Sequence, residues 1–295
     1  MNLIKPNKIN IGDTIAIIAP SGEVDKNKIE LSAKYFENKG YKVKLGKNIY
    51  KRERYLAGRD DERLEDLHEN FSDTAVKAII CARGGYGAIR LIDKIDYDLI
   101  KSNPKIFCGY SDITALSSMI LKKSNLITFS APMAQSDFSD DINSFTETHF
   151  WDSIQNNKIT INPENLSIYK KGNAEGILFG GNLSTITSLC GQNFIPEDKF
   201  IFFAEDLCEP VYKIDRYFRQ LLNIKEFRDK LSAIILGEFS DVDNTQWLND
   251  LFIGLSKELD IPILGGYKIT HAKEKITIPI GGKAKLQDGI ITVDY

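Results

Sequence analysis

Short apolar, β-branched runs alternate with helical repeats along the first half of the chain. Residues 14–19 read as a buried strand, and the helix expected over 25–38 sets Ile29, Leu31, Tyr35 and Phe36 among polar neighbours. The same patterning predicts strands at 41–45, 76–82 and 106–109. Between and after them it predicts helices over about 60–71, 86–92 and 112–122. Strand and helix in turn mean βαβ units, a parallel sheet and helices on its faces. In such sheets ligands bind beyond the carboxyl ends of the strands.

The texture changes in the middle. Residues 157–172 are polar, with Asn-Pro-Glu-Asn and Lys-Lys-Gly-Asn, and read as a crossover. Strands are expected after it at 176–179, 200–204, 233–237, 276–280 and 290–293, and helices near Leu183 and over 211–222 and 246–259. The expected organisation is therefore an N-terminal parallel-sheet α/β domain (1–156), a linker (157–172) and a C-terminal mixed β and α domain (173–295).

Composition narrows the classes. The chain has 295 residues, 42% of them hydrophobic, enough to bury sizeable cores and to exclude a disordered or disulfide-stapled protein. Lys+Arg 38 against Asp+Glu 41 leaves a net charge of −3, so no basic surplus points to nucleic acid as a partner. The polar start lacks the apolar stretch of a signal peptide, and no run is apolar and long enough to span a membrane. A cytoplasmic protein is the expectation. The four cysteines sit mostly in apolar runs without a C-x-x-C pair and read as reduced residues, mostly in the core.

Three strand ends carry candidate chemistry. Ala-Pro-Ser-Gly (19–22) and Arg-Gly-Gly-Tyr-Gly (83–87) each follow a strand, where free N–H groups favour an anion. The second lacks the third glycine of a dinucleotide loop, because Arg90 stands there, but it could aim N–H groups at developing negative charge. The third, Cys-Gly-Tyr-Ser-Asp-Ile-Thr (108–114), puts Ser111 on a sharp strand-to-helix turn. There it is either a nucleophile or a helix cap. A nucleophilic serine needs a base. Of the three histidines, His68 and His149 read as surface or packing residues, whereas His271 lies in a loop between apolar segments. Glu205 and Asp206 end a strongly apolar strand and could orient such a base. No histidine has metal-site spacing with another His or Cys, so neither a metal nor another cofactor is expected.

Taken together, Gly-Tyr-Ser-Asp-Ile-Thr (109–114), the Glu-Asp-Leu-Cys-Glu-Pro-Val-Tyr-Lys-Ile-Asp-Arg run (205–216) and the His271 loop ending in Ile-Pro-Ile-Gly (278–281) closely resemble the LD-carboxypeptidase family of serine peptidases. That family also contains the microcin C immunity peptidases. Ala-Pro-Ser-Gly, Arg-Gly-Gly-Tyr-Gly and Phe-Gly-Gly-Asn-Leu-Ser (179–184) extend the resemblance over nearly the whole chain. It implies an active site in the cleft between two domains, with Ser111 as nucleophile, His271 as base and Glu205 orienting it. Gly84 or Gly85 with the Asp112 N–H would form the oxyanion hole, and Arg83 and Asn182 would bind substrate. Two departures, Gly191-Gln192 and the residues just before His271, bear on specificity more than on activity. The implied activity is release of terminal D-alanine from cytoplasmic murein tetrapeptides during wall recycling. The alternatives are cleavage of acyl-adenylate-like amides, or murein-peptide binding without catalysis. The expected partner is a small peptide, and the sequence leaves the oligomeric state open, a homodimer included.

Overall fold

The structure, a computed structural model, describes residues 2–295. Its strands in chain order are β1 (Thr14–Ile18), β2 (Lys42–Leu45), β3 (Val76–Cys81), β4 (Ile106–Cys108), β5 (Thr128–Ser130), β6 (Lys158–Ile161) and β7 (Ser167–Lys170). There follow β8 (Ala174–Asn182), β9 (Phe200–Leu207), β10 (Leu231–Ser240), β11 (Ile263–Gly265), β12 (Ile278–Ile280), β13 (Lys283–Gln287) and β14 (Ile290–Asp294). They form a six-stranded sheet, ordered β12-β5-β4-β3-β1-β2, and an eight-stranded sheet, ordered β6-β14-β13-β8-β9-β10-β11-β7.

The first sheet is the expected parallel one from β2 to β5, with helices such as Lys26–Asn38 and Asp60–Ser72 in the crossovers. Its inner strands β1, β3 and β4 are largely buried on both faces, as the apolar runs Ile-Ala-Ile-Ile and Ala-Ile-Ile-Cys require, whereas the edge strand β2 is more exposed. Its last member, β12, comes from late in the chain and pairs antiparallel with β5, Pro279 opposite Phe129. Proline is tolerated there because an edge strand need not donate outward. The second sheet is mixed, with β8 to β11 parallel and the outer pairs antiparallel.

Two expectations require correction. The polar stretch 157–172 is not a bare crossover: it supplies β6 and β7, the two edge strands of the second sheet. Edge strands face water on one side, so they carry no long apolar run to announce them. The helix expected over 86–92 is a single 3₁₀ turn, Ala88–Arg90. Gly85 and Gly87, at φ +116° and +132°, hold the chain in conformations no helix can use.

One apolar core runs through both sheets. Phe107 of β4 and Leu116 and Ile120 of helix Thr114–Ser124 belong to the same packed cluster as Phe179, Phe203 and Ile235 of β8 to β10. That helix lies where the halves meet, and Asn182 N–H donates to Thr114 Oγ1 at 3.1 Å. A second cluster, with Ile15, Phe36, Phe129, Phe138 and Phe150, covers the other face of the first sheet.

Candidate active site

The carboxyl ends of β1, β3 and β4 are tied together by one side chain. Asp112, buried just past β4, accepts from Ser21 Oγ (2.5 Å) after β1 and from Ala88 N–H (2.9 Å) after β3. Burial raises its carboxyl above the usual range against the pull of those two donors. Ser21 is fully buried in this contact, and the Gly22 N–H donates to Gly84 O (3.3 Å). The first strand end, expected as an anion site, therefore spends its groups on structure.

Ser111 sits on the turn so anchored. Its φ is +59°, a left-handed conformation that costs a residue with a Cβ about 1–2 kcal/mol. A 3₁₀ turn, Ser111–Ile113, then leads into helix Thr114–Ser124. Strand, strained turn and helix lift the hydroxyl off the sheet edge into an open cleft of about 310 Å³ lined also by Lys28, Arg83, Gly84, Gly85 and His271. Gly84 lies so close that a Cβ there would stand 2.9 Å from Ser111 Oγ. Because the Gly84 carbonyl is turned to Gly22, the Gly85 N–H of the same trans peptide points the opposite way. The Asp112 N–H is one of the donors a helix start leaves without an internal partner.

His271 reaches the cleft from the loop after β11. Its Nδ1 lies 2.7 Å from Oε2 of Glu205, a buried residue of β9. A carboxylate only accepts, so in the neutral imidazole Nδ1 is the nitrogen that carries the proton and Nε2 the one with a free lone pair. The Tyr110 ring packs edge-on against the imidazole, centroids 5.1 Å apart. Asp206, next to Glu205, serves a different end. It accepts from Asn182 Nδ2 (2.9 Å) and from the Ser184 and Leu207 N–H groups, yet burial still holds its carboxyl above the usual range against these donors.

The structure thus brings Ser111, His271, Arg83, Gly84 and Gly85 to one cleft, with Glu205 behind the histidine and the Asp112 N–H beside the serine. Asn182, expected to bind substrate, does not line that cleft. It is buried, its Oδ1 capping helix Leu183–Thr187 through Thr185 N–H (3.1 Å) and its Nδ2 held by Asp206. His68 accepts from Asp96 N–H and His149 packs on Phe145, as expected of structural histidines. Cys81 and Cys108 are buried, whereas Cys208 is exposed. Lys28 and a linked trio, the partly buried Tyr110 with the buried side chains of Asp137 and Lys275, escaped sequence reasoning. Lys275 alone left a signal, as a charge at the start of the apolar run into β12. A larger groove, about 460 Å³ between Lys5 and Asp294, contains no serine, cysteine or histidine and so no nucleophile–base pair.

The fold and the cleft together have the parts of an acyl-transferring hydrolase: an exposed hydroxyl, an oriented imidazole and backbone donors beside it. The LD-carboxypeptidase N-terminal domain matches residues 15–131 and the LD-carboxypeptidase C-terminal domain residues 175–286, so the chain belongs to the LD-carboxypeptidase family of peptidases. It is 39% identical to a probable murein peptide carboxypeptidase of Bacillus subtilis, over 96% of this chain and 91% of that protein. Among solved structures, an MccF-like protein from Bacillus anthracis superposes with a TM-score of 0.91 at 29% identity, covering 98% of this chain and 99% of that one. A muramoyltetrapeptide carboxypeptidase from Oxalobacter formigenes gives 0.85 at 31% identity, covering 95% and 98%. Among the described residues no helix is long and apolar enough to cross a membrane.

Proposed function

We propose that the chain is a serine-type LD-carboxypeptidase that releases the terminal D-alanine of murein tetrapeptides in the cytoplasm. The observation that carries the reading is Ser111, strained at φ +59°, sharing a cleft with a histidine held 2.7 Å from a buried glutamate. Murein carboxypeptidases among the relatives supply the substrate class.

In this reading His271 Nε2 takes the proton as Ser111 Oγ attacks the amide carbon. Glu205 stabilises the imidazolium that forms, and the Gly85 and Asp112 N–H groups receive the oxyanion. Collapse breaks the C–N bond, His271 returns the proton to the departing amino group, and water then hydrolyses the Ser111 ester by the same route. Arg83 and Lys28, the cations in the cleft, suit the free carboxylate of the leaving D-alanine.

The test is incubation with lysine- and diaminopimelate-containing tetrapeptides and mass spectrometry for lost D-alanine. Ser111→Ala and His271→Ala are each expected to lower kcat by about 10⁴-fold, with Glu205→Gln also severely impaired. Near-normal turnover by Ser111→Ala would end the serine mechanism. A second reading, an immunity-type peptidase for acyl-adenylate-like amides, is favoured by the MccF-like neighbour. Faster turnover of an aminoacyl sulfamoyl adenosine than of either tetrapeptide would favour it.

A further inference from the structure

Lys275 and Asp137 form an ion pair of 2.5 Å with side chains only 5% and 7% exposed. Nothing in the proposed chemistry uses either group. A buried pair of this kind gives little net stability, because removing two charges from water costs about what their attraction returns. Its geometry is informative. Lys275 lies four residues after His271 on the same loop, and its Nζ also donates to Tyr110 OH at 2.9 Å. Tyr110 immediately precedes Ser111 and stacks edge-on against His271. Asp137 belongs to a π-helical turn, Ala134–Phe138, fixed to the first sheet by Gln135 N–H donating to Ala82 O (2.7 Å). Its second carboxylate oxygen accepts from Met133 N–H (2.8 Å).

We infer that Lys275 and Asp137 are positioning residues for the base: they clasp the His271 loop to the nucleophile turn through Tyr110 and cancel one another's charge beside the imidazole. The inference rests on the serine-hydrolase reading of the cleft. His271 and Ser111 arrive from different sheets, so some contact must hold their relative position against thermal drift. The clasp joins the three segments that matter, at 110, 137 and 275. Lys275, Tyr110 and Glu205 line one small cavity, so the ammonium shares the surroundings of the carboxylate that orients His271. An unbalanced cation there would oppose the imidazolium formed during acylation. Asp137 supplies the balance. The other charged groups facing this region are Glu205 from β9, Glu238 from β10 through Thr270, and Lys28 and Arg83 across the cleft. Lys268, Lys273 and Glu274 lie on the loop itself, Lys268 paired with Glu274. None of these changes in the variants below.

The test compares Lys275→Met, Asp137→Asn, their double variant and Tyr110→Phe. Each single charge variant is expected to lower kcat by about 10-fold or more with KM nearly unchanged, because the base moves while the binding cations do not. The acid limb of kcat/KM should move in opposite directions. Lys275→Met leaves an anion that favours imidazolium and shifts the limb up in pH, whereas Asp137→Asn leaves a cation and shifts it down, each by about 0.5 pH unit or more. The double variant should restore the position of the limb but not the rate. Tyr110→Phe, which keeps the ring, should lower kcat without moving the limb. Titration of the His271 ring by ¹⁵N NMR, assigned with His271→Gln, reads the same opposite shifts without any substrate. An inactive wild type would therefore remove the carboxypeptidase reading and leave the clasp to be judged by NMR. Unmoved titrations in both charge variants would overturn the inference, as would a loss of kcat that merely follows the unfolded fraction.

Discussion

At Ser111 the structure stores conformational strain next to a glycine that allows no side chain. A Cβ on Gly84 would stand 2.9 Å from both Cβ and Oγ of Ser111 and 3.4 Å from the Asp112 nitrogen. Rotating the hydroxyl relieves only one of these contacts, so the turn itself must shift. Gly84→Ala is therefore expected to lower kcat by about 10²-fold while circular dichroism stays native. Wild-type turnover by that variant would show that the turn has slack. Asp66 gives a residue-scale prediction away from the cleft. It is buried on helix Asp60–Ser72, and burial pushes its carboxyl up to about 6 although the Asn48 backbone and side chain donate to it. Its folded value lies above its unfolded one, so the native state binds the extra proton between about pH 4 and 6. Stability contributed by this group is thus present below that window and lost as pH rises through it, at up to about 1.4 kcal/mol per pH unit. Urea unfolding at pH 4.5, 5.5 and 7 should show that slope reduced in Asp66→Asn, and an identical slope in both proteins would discount Asp66.

Among the elements, those with strong periodicity were readable. Helix Val211–Leu222 buries Val211, Ile214, Phe218, Leu221 and Leu222 on one stripe, and its bounds agree with the 211–222 expected from the pattern. Strands β1, β3 and β9 were legible as continuous apolar runs. The edge strands β6 and β7 and the π-helical turn at 134–138 were not, because their existence depends on neighbours rather than on local pattern. The cleft divides in the same way. Ser111, Glu205 and His271 stand in recognisable contexts, whereas Asp137 gains its meaning only when the chain folds Lys275 onto it. The fate of Asn182 was hidden for the same reason, since its partner Asp206 looked like a second candidate carboxylate. Strand β8 also carries a prediction. Gly180, at φ +148°, lies opposite Phe203, and a Cβ there would come within 1.9 Å of the Phe203 carbonyl oxygen. Neither backbone can retreat without breaking the β8–β9 ladder that aligns Asn182 with Glu205. Gly180→Ala should lose about 3 kcal/mol or more, visible as a lower urea midpoint. An unchanged midpoint would mean that the two strands separate more easily than their pairing implies.

In the whole molecule the two sheets are not independent. Strand β12 leaves the second half to close the edge of the first sheet, and one apolar core runs through both. A fragment of residues 1–156 would therefore expose the β5 edge and the inner face of helix Thr114–Ser124. It is expected to aggregate on size-exclusion chromatography, where the full chain elutes as a discrete species. A monomeric, cooperatively folded fragment would refute that dependence. The position of His271 has a further consequence, in time rather than in space. A ribosome delivers Ser111 and the proposed oxyanion donors first, Glu205 next, and the proposed base, His271, last of these. Until the segment from His271 to β12 emerges and docks, Ser111 has neither its proposed base nor the strand that closes its sheet at β5. On the proposed mechanism, synthesis interrupted before this point would release a chain that has Ser111 but not its proposed base, and such a chain is expected to cut nothing.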